Sequence, residues 1–296
     1  MTALSYTLIS FPGLGLELDP PSTIQLGPLT IHFYGLIIAV GMLLAVLYAS
    51  KRSKEFGLKE DDLIDGVLWV TPFAIICARL YYCVFEWDQY ASNPISILYI
   101  WNGGLAIYGG VLGAVIGLCV FCKVRKIKAT AMMDVVSLGL LIGQLVGRWG
   151  NFMNREAFGA PTDSFLRMGL YNTATGAVEY YHPTFLYESL WNFVGFLLLH
   201  FLSKKRKYDG QVALGYVAWY GLGRAFIEGL RMDSLYWGPF RVSQVLAGIS
   251  CVAAVAVLLW QGFRPHDPAK MLVNQAKEAK SEEAPKTEDE THENEG

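Results

Sequence analysis

The chain has 296 residues, of which 53% are hydrophobic and 17% are charged, and its formal net charge is −2. A soluble protein of this length rarely has so apolar a composition, and no feature of the sequence supports nucleic-acid binding. The apolar residues are gathered in long blocks, which predicts a polytopic membrane protein.

The first 27 residues precede the apolar blocks and contain Pro12, Pro20 and Pro21. They lack the basic start, the apolar core and the small-residue cleavage site of a cleaved signal peptide. We therefore expect residues 1–27 to form an external N-terminal segment.

Seven apolar blocks then follow, each close to the roughly 20 residues that a helix needs to cross a bilayer. Backbone polar groups in lipid must bond within their own segment, so these spans are predicted to be helices. We expect an all-α membrane domain over residues 28–262. Its predicted spans are 28–50, 66–85, 103–122, 131–146, 183–202, 211–230 and 243–262.

The connecting loops predict the orientation. Loops rich in Lys and Arg stay on the cytoplasmic side, and basic residues follow the first, third and fifth spans. They are Lys51, Arg52, Lys54, Lys59, Lys123, Arg125, Lys126, Lys128, Lys204, Lys205, Arg206 and Lys207. This pattern predicts an external N-terminus and an internal C-terminus.

Glycines recur at every fourth position in two spans, at 109, 113 and 117 and at 139, 143 and 147. Small residues at this spacing let helices approach closely, which predicts that the third and fourth spans are neighbours. All five cysteines lie in apolar runs and are interpreted as core residues. Cys119 and Cys122 have no second cysteine pair or histidine cluster beside them, which disfavours a metal site.

The longest external loop, residues 151–182, is predicted to form a small cap within the membrane domain. Tyrosines and a valine around Thr173–Gly176 predict a β-hairpin there. Residues 263–296 are acidic and poor in large apolar side chains towards their end, so we expect a disordered cytoplasmic tail.

Polar residues from six spans are predicted to share one depth, in the outer half of the membrane, whereas the inner halves look apolar. They are Tyr34, Arg79, Tyr108, Arg148, His182, Tyr187, Glu188, Arg224 and Glu228, with Arg231 just beyond. Several arginines at one depth favour a phosphate ligand, because guanidinium groups match phosphate oxygens. The phosphate always present at this depth is a phospholipid headgroup.

Packing explanations remain open for some of these residues. Arg224 and Glu228 lie four residues apart and could simply neutralise each other. Arg79 could clamp neighbouring helices, and Tyr108 could be an interfacial aromatic residue. His182 could cap the fifth span.

The segment G-R-W-G-N-F-M-N-R-E-A-F-G, residues 147–159, resembles the signature of the bacterial prolipoprotein diacylglyceryl transferases. Further motifs resemble the same family in order along the chain: I-H-F-Y-G from 31, A-R-L-Y from 78, W-N-G-G-L-A-I-Y-G-G from 101, H-P-T-F-L-Y-E from 182 and G-R-A-F-I-E-G-L-R from 223.

The resemblance implies a seven-helix fold with an external head in the bacterial cytoplasmic membrane. It implies transfer of a diacylglyceryl group from phosphatidylglycerol to the lipobox cysteine of a prolipoprotein signal peptide, with membrane lipid as surroundings. It implies no metal and no organic cofactor. The implied catalytic residues are Arg148, Arg224, Tyr108, Glu156 and Glu228. The implied substrate-binding residues are Arg148, Asn151, Tyr34, Asn154, Gly159 and Arg231.

Tyr108 is one departure, because many family members have histidine at this position. A tyrosine with a pKa near 10 is a poor base at neutral pH, so we expect Tyr108 to donate a hydrogen bond to phosphate. Two other functions would also place cations in the membrane. An anion transporter would favour an internal repeat or polar residues through to the inner half. A non-enzymatic lipid-binding protein would not need the arrangement of Asn151 and Glu156.

Overall fold

The computed structural model describes residues 6–283, most of which lie in α-helices. The helices are α1 (Phe33–Ser53), α2 (Glu60–Phe85), α3 (Trp87–Tyr90), α4 (Ile107–Val124), α5 (Ala129–Asn154), α6 (Thr184–Ser203), α7 (Gln211–Ile227), α8 (Val242–Gly262) and α9 (Leu272–Glu283). The strands are β1 (Tyr6–Phe11), β2 (Leu16–Leu18), β3 (Thr23–Leu26), β4 (Leu29–His32), β5 (Met168–Asn172), β6 (Ala177–Tyr181), β7 (Tyr236–Trp237) and β8 (Phe240–Arg241).

Within residues 6–283, six helices are long and apolar enough to cross a membrane: α1, α2, α4, α5, α6 and α8. The remaining long helix, α7, has 17 residues. Large apolar side chains point outward from these helices, as Leu68, Val84 and Val252 do, with 68–70% of each exposed. Such apolar outer surfaces are expected of helices that face lipid. The fold is therefore that of a polytopic, mainly helical membrane protein.

Two helix boundaries differ from the sequence prediction. The fourth predicted span ended at 146, but helix α5 continues to Asn154. Polar residues in its last two turns suggested an end of the helix, whereas Arg155 ends it, in the left-handed conformation at φ 53°. The first predicted span began at 28, but residues Leu29–His32 form strand β4, paired with β3. Apolar content alone does not distinguish a short strand from the start of a helix.

Strands β5 and β6 are antiparallel and pair from Met168 with Tyr181 to Asn172 with Ala177. The N-terminal segment adds two strands, giving a four-stranded antiparallel sheet in the order β2-β1-β5-β6. These N-terminal strands were not predicted. An apolar cluster that includes Ile9, Leu170, Phe152 and Phe185 joins the sheet to the ends of α5 and α6.

The glycine rows pack against helices other than the predicted ones. A Cβ added at Gly113 would lie 2.5 Å from the Cβ of Cys77, so this row contacts α2. A Cβ added at Gly139 would lie 3.2 Å from the oxygen of Ala45, so the second row contacts α1. The prediction that these glycines bring α4 and α5 together is wrong, because spacing indicates close approach but does not identify the partner.

A cluster of polar residues lies at the C-terminal end of α6, near Ser203. We call this end of the helix bundle the Arg52 end. Arg52 is 6% exposed, and it donates hydrogen bonds to Tyr48 Oη at 2.8 Å and Ser203 Oγ at 3.0 Å. Asp134 is fully buried and accepts hydrogen bonds from the backbone of Gly210 and Ala213, both at 2.8 Å, which caps the start of α7. The sequence analysis expected the inner halves of the spans to be apolar, and the Arg52 end is their predicted inner end. This expectation is therefore wrong.

Part of the predicted disordered tail is ordered as helix α9. Asp209 Oδ2 accepts a hydrogen bond from the backbone of Leu272 at 2.8 Å, and Met271 is 9% exposed. The start of this helix is thus attached to the Arg52 end of the bundle. Residues 284–296 of the predicted acidic tail lie outside the described residues.

Candidate functional site

Glu188, the fifth residue of α6, lies at the centre of the site. Its Oε2 is 2.5 Å from Arg148 Nη2, and its Oε1 is 3.1 Å from Arg224 Nη1 and 3.4 Å from Arg231 Nη1. One carboxylate thus brings together guanidinium groups from α5, from α7 and from the segment that follows α7. The sequence prediction placed Glu188 at this depth but did not include it among the site residues.

Two of the three arginines have a second carboxylate partner. Arg224 Nη2 lies 2.6 Å from Glu228 Oε2 as an ion pair. Arg231 forms a two-pronged pair with Asp233, at 2.9 Å from Nε and 2.6 Å from Nη2. The ion pair between Arg224 and Glu228 that their spacing suggested is therefore present, and Arg224 also contacts Glu188. Asp233 was missed by the sequence prediction.

Burial differs among the members of this cluster. Side-chain exposure is 4% for Glu188 and 2% for Glu228, but it is 21% for Arg148 and 18% for Arg224. The carboxylates are therefore enclosed, whereas two guanidinium groups remain partly accessible. Charged pairs at such burial interact more strongly than exposed pairs, because solvent screens them less.

The electrostatics of Asp233 follow from its partner. Its burial alone would raise the pKa of Asp233, but the hydrogen bonds and the charge of Arg231 hold that pKa below the ordinary value. Asp233 therefore remains a carboxylate at neutral pH and balances Arg231.

Asn151 and Glu156 extend the site along the end of α5. Arg148 Nη1 lies 3.4 Å from Asn151 Oδ1, and Asn151 Nδ2 donates a hydrogen bond to Glu156 Oε1 at 3.0 Å. Residues 148 and 151 are one helical turn apart on α5, so their side chains share one helix face. Glu156 thus orients Asn151, and within residues 6–283 its recorded link to the arginines runs through Asn151.

Gly159 is positioned by the backbone. Its N–H donates to the His182 carbonyl at 2.9 Å, and it forms an isolated β-bridge with Arg231. A Cβ added at Gly159 would lie 2.8 Å from the His182 Cβ and 2.9 Å from the Leu230 carbonyl oxygen. Only glycine fits between these segments without a shift of the backbone, so this position joins the two loops beside the arginines.

The two tyrosines of the sequence prediction lie in different surroundings. Tyr34 packs its ring against Gly150, where an added Cβ would be 2.9 Å from the ring. The hydroxyl of Tyr108 is 2.7 Å from Ser243 Oγ at the start of α8. Tyr108 thus contacts a hydroxyl group on α8, and this contact lies outside the arginine cluster. Asn154 closes the last turn of α5.

Three further arginines hold backbone segments. Arg79 donates to the carbonyls of Ile97, Gly103 and Gly104 at 2.7–2.9 Å. This supports the clamp interpretation of Arg79, although what it holds is a loop between helices. Arg155 donates to the Thr7 carbonyl and pairs with Asp19 at 2.6 Å, and so attaches the N-terminal segment.

Arg241 is the third of these backbone-holding residues. Its Nη1 donates to the carbonyls of Glu228 and, at 2.7 Å, of Arg231. The sequence prediction missed Arg155 and Arg241. Most of their partners are backbone carbonyls, which every residue carries, so no sequence pattern indicates these contacts.

A small cavity of about 10 Å³ lies directly beside the cluster. It is lined by Glu188, Trp191, Asn192, Tyr220, Gly223, Arg224 and Ile227. Asn192 is 2% exposed, and its Oδ1 has no hydrogen-bond partner among the described residues. Trp191 stacks on Trp219 at 4.3 Å, and each indole N–H donates to the other residue's carbonyl at 3.0 Å. These contacts fix α6 against α7 one turn from Glu188.

The arrangement suits an anionic ligand with two oxygens. Guanidinium groups bind carboxylate and phosphate oxygens in the same two-pronged geometry, and here they converge on one carboxylate. Within residues 6–283, no group of three or more His, Cys, Asp or Glu residues could hold a metal ion.

These features define a polytopic membrane protein with a buried arginine–carboxylate site where α5, α6 and α7 meet. Residues 21–260 match the family model described as prolipoprotein diacylglyceryl transferase. The chain belongs to this family of transferases.

Curated relatives carry the name phosphatidylglycerol–prolipoprotein diacylglyceryl transferase. The protein from Listeria monocytogenes serotype 4a (strain HCC23) is 42% identical over 265 residues, which cover 88% of this chain and 96% of the relative. The protein from Limosilactobacillus reuteri (strain DSM 20016) is 47% identical over 247 residues, covering 81% and 90%. The protein from Halalkalibacterium halodurans is 41% identical over 272 residues, covering 86% and 93%.

Proposed function

We propose that this protein transfers the diacylglyceryl group of phosphatidylglycerol to the thiol of the lipobox cysteine of a prolipoprotein. The products are a thioether-linked lipoprotein precursor and glycerol phosphate. One observation carries the proposal: in a chain of this family, three guanidinium groups converge on the Glu188 carboxylate. The names of the relatives support both substrates.

We place the reaction on the external side of the bacterial cytoplasmic membrane. The basic loops after the first, third and fifth spans favour an internal position for the Arg52 end. On this orientation, α7 also crosses the membrane as the sixth of seven spans, the N-terminal segment is external, and the four-stranded sheet forms the external head. The Glu188 end then lies among the phosphates of the outer leaflet.

The chemistry requires a stabilised leaving group. The cysteine sulfur attacks a glyceryl carbon, a C–S bond forms, the C–O bond to phosphate breaks, and its electron pair leaves on the phosphate oxygen. Fixed cations that face this developing charge are expected to contribute most to catalysis. We assign that role to Arg148 and Arg224, the two partly accessible arginines of the cluster.

The other proposed roles follow from the contacts. Asn151 and Tyr34 position the headgroup by hydrogen bonds, and Asn154 and Gly159 shape the loop beside it. Arg231 is held by Asp233, so we assign it to the wall of the binding site.

Carboxylates and a tyrosine complete the proposed set. Glu156 orients Asn151. Glu228 orients Arg224 and is one candidate to take the thiol proton. Tyr108 remains assigned to a hydrogen bond with the phosphate, for which its hydroxyl would exchange Ser243 for the ligand.

The direct test uses the purified full-length protein with phosphatidylglycerol and a lipobox peptide. Mass spectrometry of the peptide detects the diacylglyceryl adduct. We expect Arg148→Ala to abolish the adduct, and Arg148→Lys to be poor, because an ammonium group lacks the planar two-pronged geometry.

Arg167→Ala is the matched control. Arg167 lies in the segment between α5 and β5, where it donates to the carbonyls of Asp163 and Ser164 and lies 5.1 Å over the ring of Tyr180. This variant should keep the activity. Normal turnover by Arg148→Ala would remove Arg148 from the phosphate role, and no adduct from the unmodified protein would refute the proposed reaction.

A further inference from the structure

An open groove of about 330 Å³ lies at the Arg52 end, far from Glu188. This volume falls in the range of small-ligand sites, about 300–1,000 Å³. The groove is lined by Arg206, Lys207, Arg264, His266, Pro268 and Met271. Three of these six residues are permanently cationic at neutral pH.

Arg206 is held in place mainly by neutral groups, although the charges of Asp134 and Asp209 also act on it. It donates to the carbonyls of Glu55 at 2.6 Å and Ser203 at 3.2 Å, and it lies 4.0 Å above the ring of Phe56. The nearest carboxylate oxygen, Asp209 Oδ1, is 4.0 Å from Nε, and Nε makes no hydrogen bond within residues 6–283.

Asp209 is itself engaged by another cation. Its Oδ2 is 2.9 Å from Lys128 Nζ and accepts the N–H of Leu272 at 2.8 Å. A second nearby carboxylate, Asp267, accepts the N–H of Ala269 at 3.0 Å and so caps a short helix. Asp209 and Asp267 thus also serve other partners, and the lining of the groove holds three cations and no carboxylate.

Arg264 and His266 are fixed by aromatic contacts on the other side of the groove. The guanidinium carbon of Arg264 lies 3.6 Å from the centre of the Trp260 ring. The ring of His266 stacks on Tyr208 at 4.6 Å, and its Nε2 lies 2.9 Å from the Gln261 carbonyl oxygen. Because these side chains are held, little conformational entropy is lost when they bind an anion.

An exposed apolar surface leads along α8 to this groove. Leu259 is 60% exposed, Trp260 is 52% exposed and Phe263 is 89% exposed. Helix α8 is among the helices apolar enough to cross a membrane, and aromatic residues at such helix ends favour the membrane interface. Acyl chains can therefore lie on α8 while a headgroup reaches the cations.

We propose that this groove binds the phosphate group of an anionic phospholipid in the leaflet next to the basic loops. It is a second lipid site, separate from the Glu188 cluster, and it does not depend on the transfer reaction. Basic pockets between membrane helices on the cytoplasmic side are known to bind anionic headgroups.

The test compares two double variants of the full-length protein. Lys207→Gln with Arg264→Gln removes two charges of the groove. Lys54→Gln with Lys123→Gln removes two charges from exposed lysines at the same end that do not line the groove. Native mass spectrometry then measures retention of phosphatidylglycerol and of zwitterionic phosphatidylcholine. Both variants keep the Glu188 cluster intact, so a difference between them reports on the groove.

We expect the groove variant to retain phosphatidylglycerol about 30-fold less tightly than the control variant, at about fivefold per cation near the membrane surface. Phosphatidylcholine should differ little. Equal retention of phosphatidylglycerol by the two variants would overturn the proposal. Transfer to the lipobox peptide should remain near normal in both, so failure of this proposal would not be confused with failure of the proposed reaction.

Two further measurements distinguish other occupants. Inorganic phosphate is added to the delipidated protein, and its effect on Tm is compared between the variants. If phosphate raised Tm only in proteins with an intact groove, and lipid retention did not differ between the variants, the groove would bind a soluble phosphate. That result would overturn the proposal of a lipid ligand. If the protein bound lipid at the groove only after residues 284–296 had been removed, the occupant of the groove would be that acidic segment. That result would also overturn the proposal.

Discussion

Replacing Glu188 with glutamine tests the balance of charge on which the site depends. Its carboxylate contacts Arg148, Arg224 and Arg231 and is 4% exposed. In Glu188→Gln, Arg224 keeps Glu228 and Arg231 keeps Asp233, so only Arg148 loses its carboxylate partner.

The expected loss of stability follows from the unpaired charge of Arg148. Removing one partner of a fully buried ion pair costs about 3–5 kcal/mol, whereas one hydrogen bond to a charged group contributes about 1.5–3 kcal/mol. Arg148 is 21% exposed, so water replaces part of the lost interaction. We therefore expect a loss of about 2 kcal/mol in the free energy of unfolding.

Thermal unfolding of the purified protein measures the stability, and diacylglyceryl transfer measures the function. We expect a Tm several degrees lower. We also expect turnover reduced by about 100-fold, because Arg148 loses the partner that holds it in place to face the developing charge. Glu179→Gln is the control, because Glu179 accepts hydrogen bonds from Tyr6, Asn172 and Tyr181 in the sheet and contacts no guanidinium group in the part of the chain that the structure describes. Glu188→Gln with an unchanged Tm and unchanged turnover would refute the reasoning.

Three further predictions concern the packing, the N-terminal segment and acid stability. In Gly223→Ala the new Cβ would meet Trp191 Nε1 at 2.2 Å, and overpacking of this kind costs about 1–3 kcal/mol, so Tm should fall. In Gly143→Ala no other atom lies within 4 Å of the new Cβ, so Tm should stay level. Arg155→Ala removes the ion pair with Asp19 and the hydrogen bond to the Pro20 carbonyl at 2.8 Å, so limited proteolysis should cut near residue 20 faster than in the unmodified protein. The lowered pKa of Asp233 contributes stability above the ordinary value of 3.8, and this is lost as pH falls through the lowered pKa. Unfolding should therefore depend less on pH below about 4 in Asp233→Asn than in the unmodified protein; equal slopes would contradict this.

Much of the helical framework could be predicted from the sequence. Runs of about 20 apolar residues have few other stable conformations in lipid, and six of the predicted spans correspond to helices that are long and apolar enough to cross a membrane. Helix α8 begins at Val242 and ends at Gly262, within one residue of the prediction. The sixth predicted span, 211–230, corresponds to α7, whose 17 residues leave its status as a span a prediction.

The role of Glu188, the central carboxylate of the site, was harder to predict from the sequence. Arg148 and Arg224 were singled out because cations near apolar runs are costly, and Glu228 was found through its spacing from Arg224. Glu188 is 40 residues from Arg148 in sequence and lacks any such local pattern, so only the packing of α6 between α5 and α7 reveals its role. The same limit applies to the glycine rows, whose spacing does not identify the helix they contact.

Two independent sets of contacts hold the arginines together. One set is ionic and centres on Glu188. The other is formed by the backbone, where Gly159 donates to His182 at 2.9 Å and Ala160 donates to Leu230 at 2.6 Å. Backbone hydrogen bonds do not depend on the charge of Glu188, so the loops should stay joined in Glu188→Gln. The loss expected in that variant is therefore local to Arg148, which is why its effect on transfer should exceed its effect on stability.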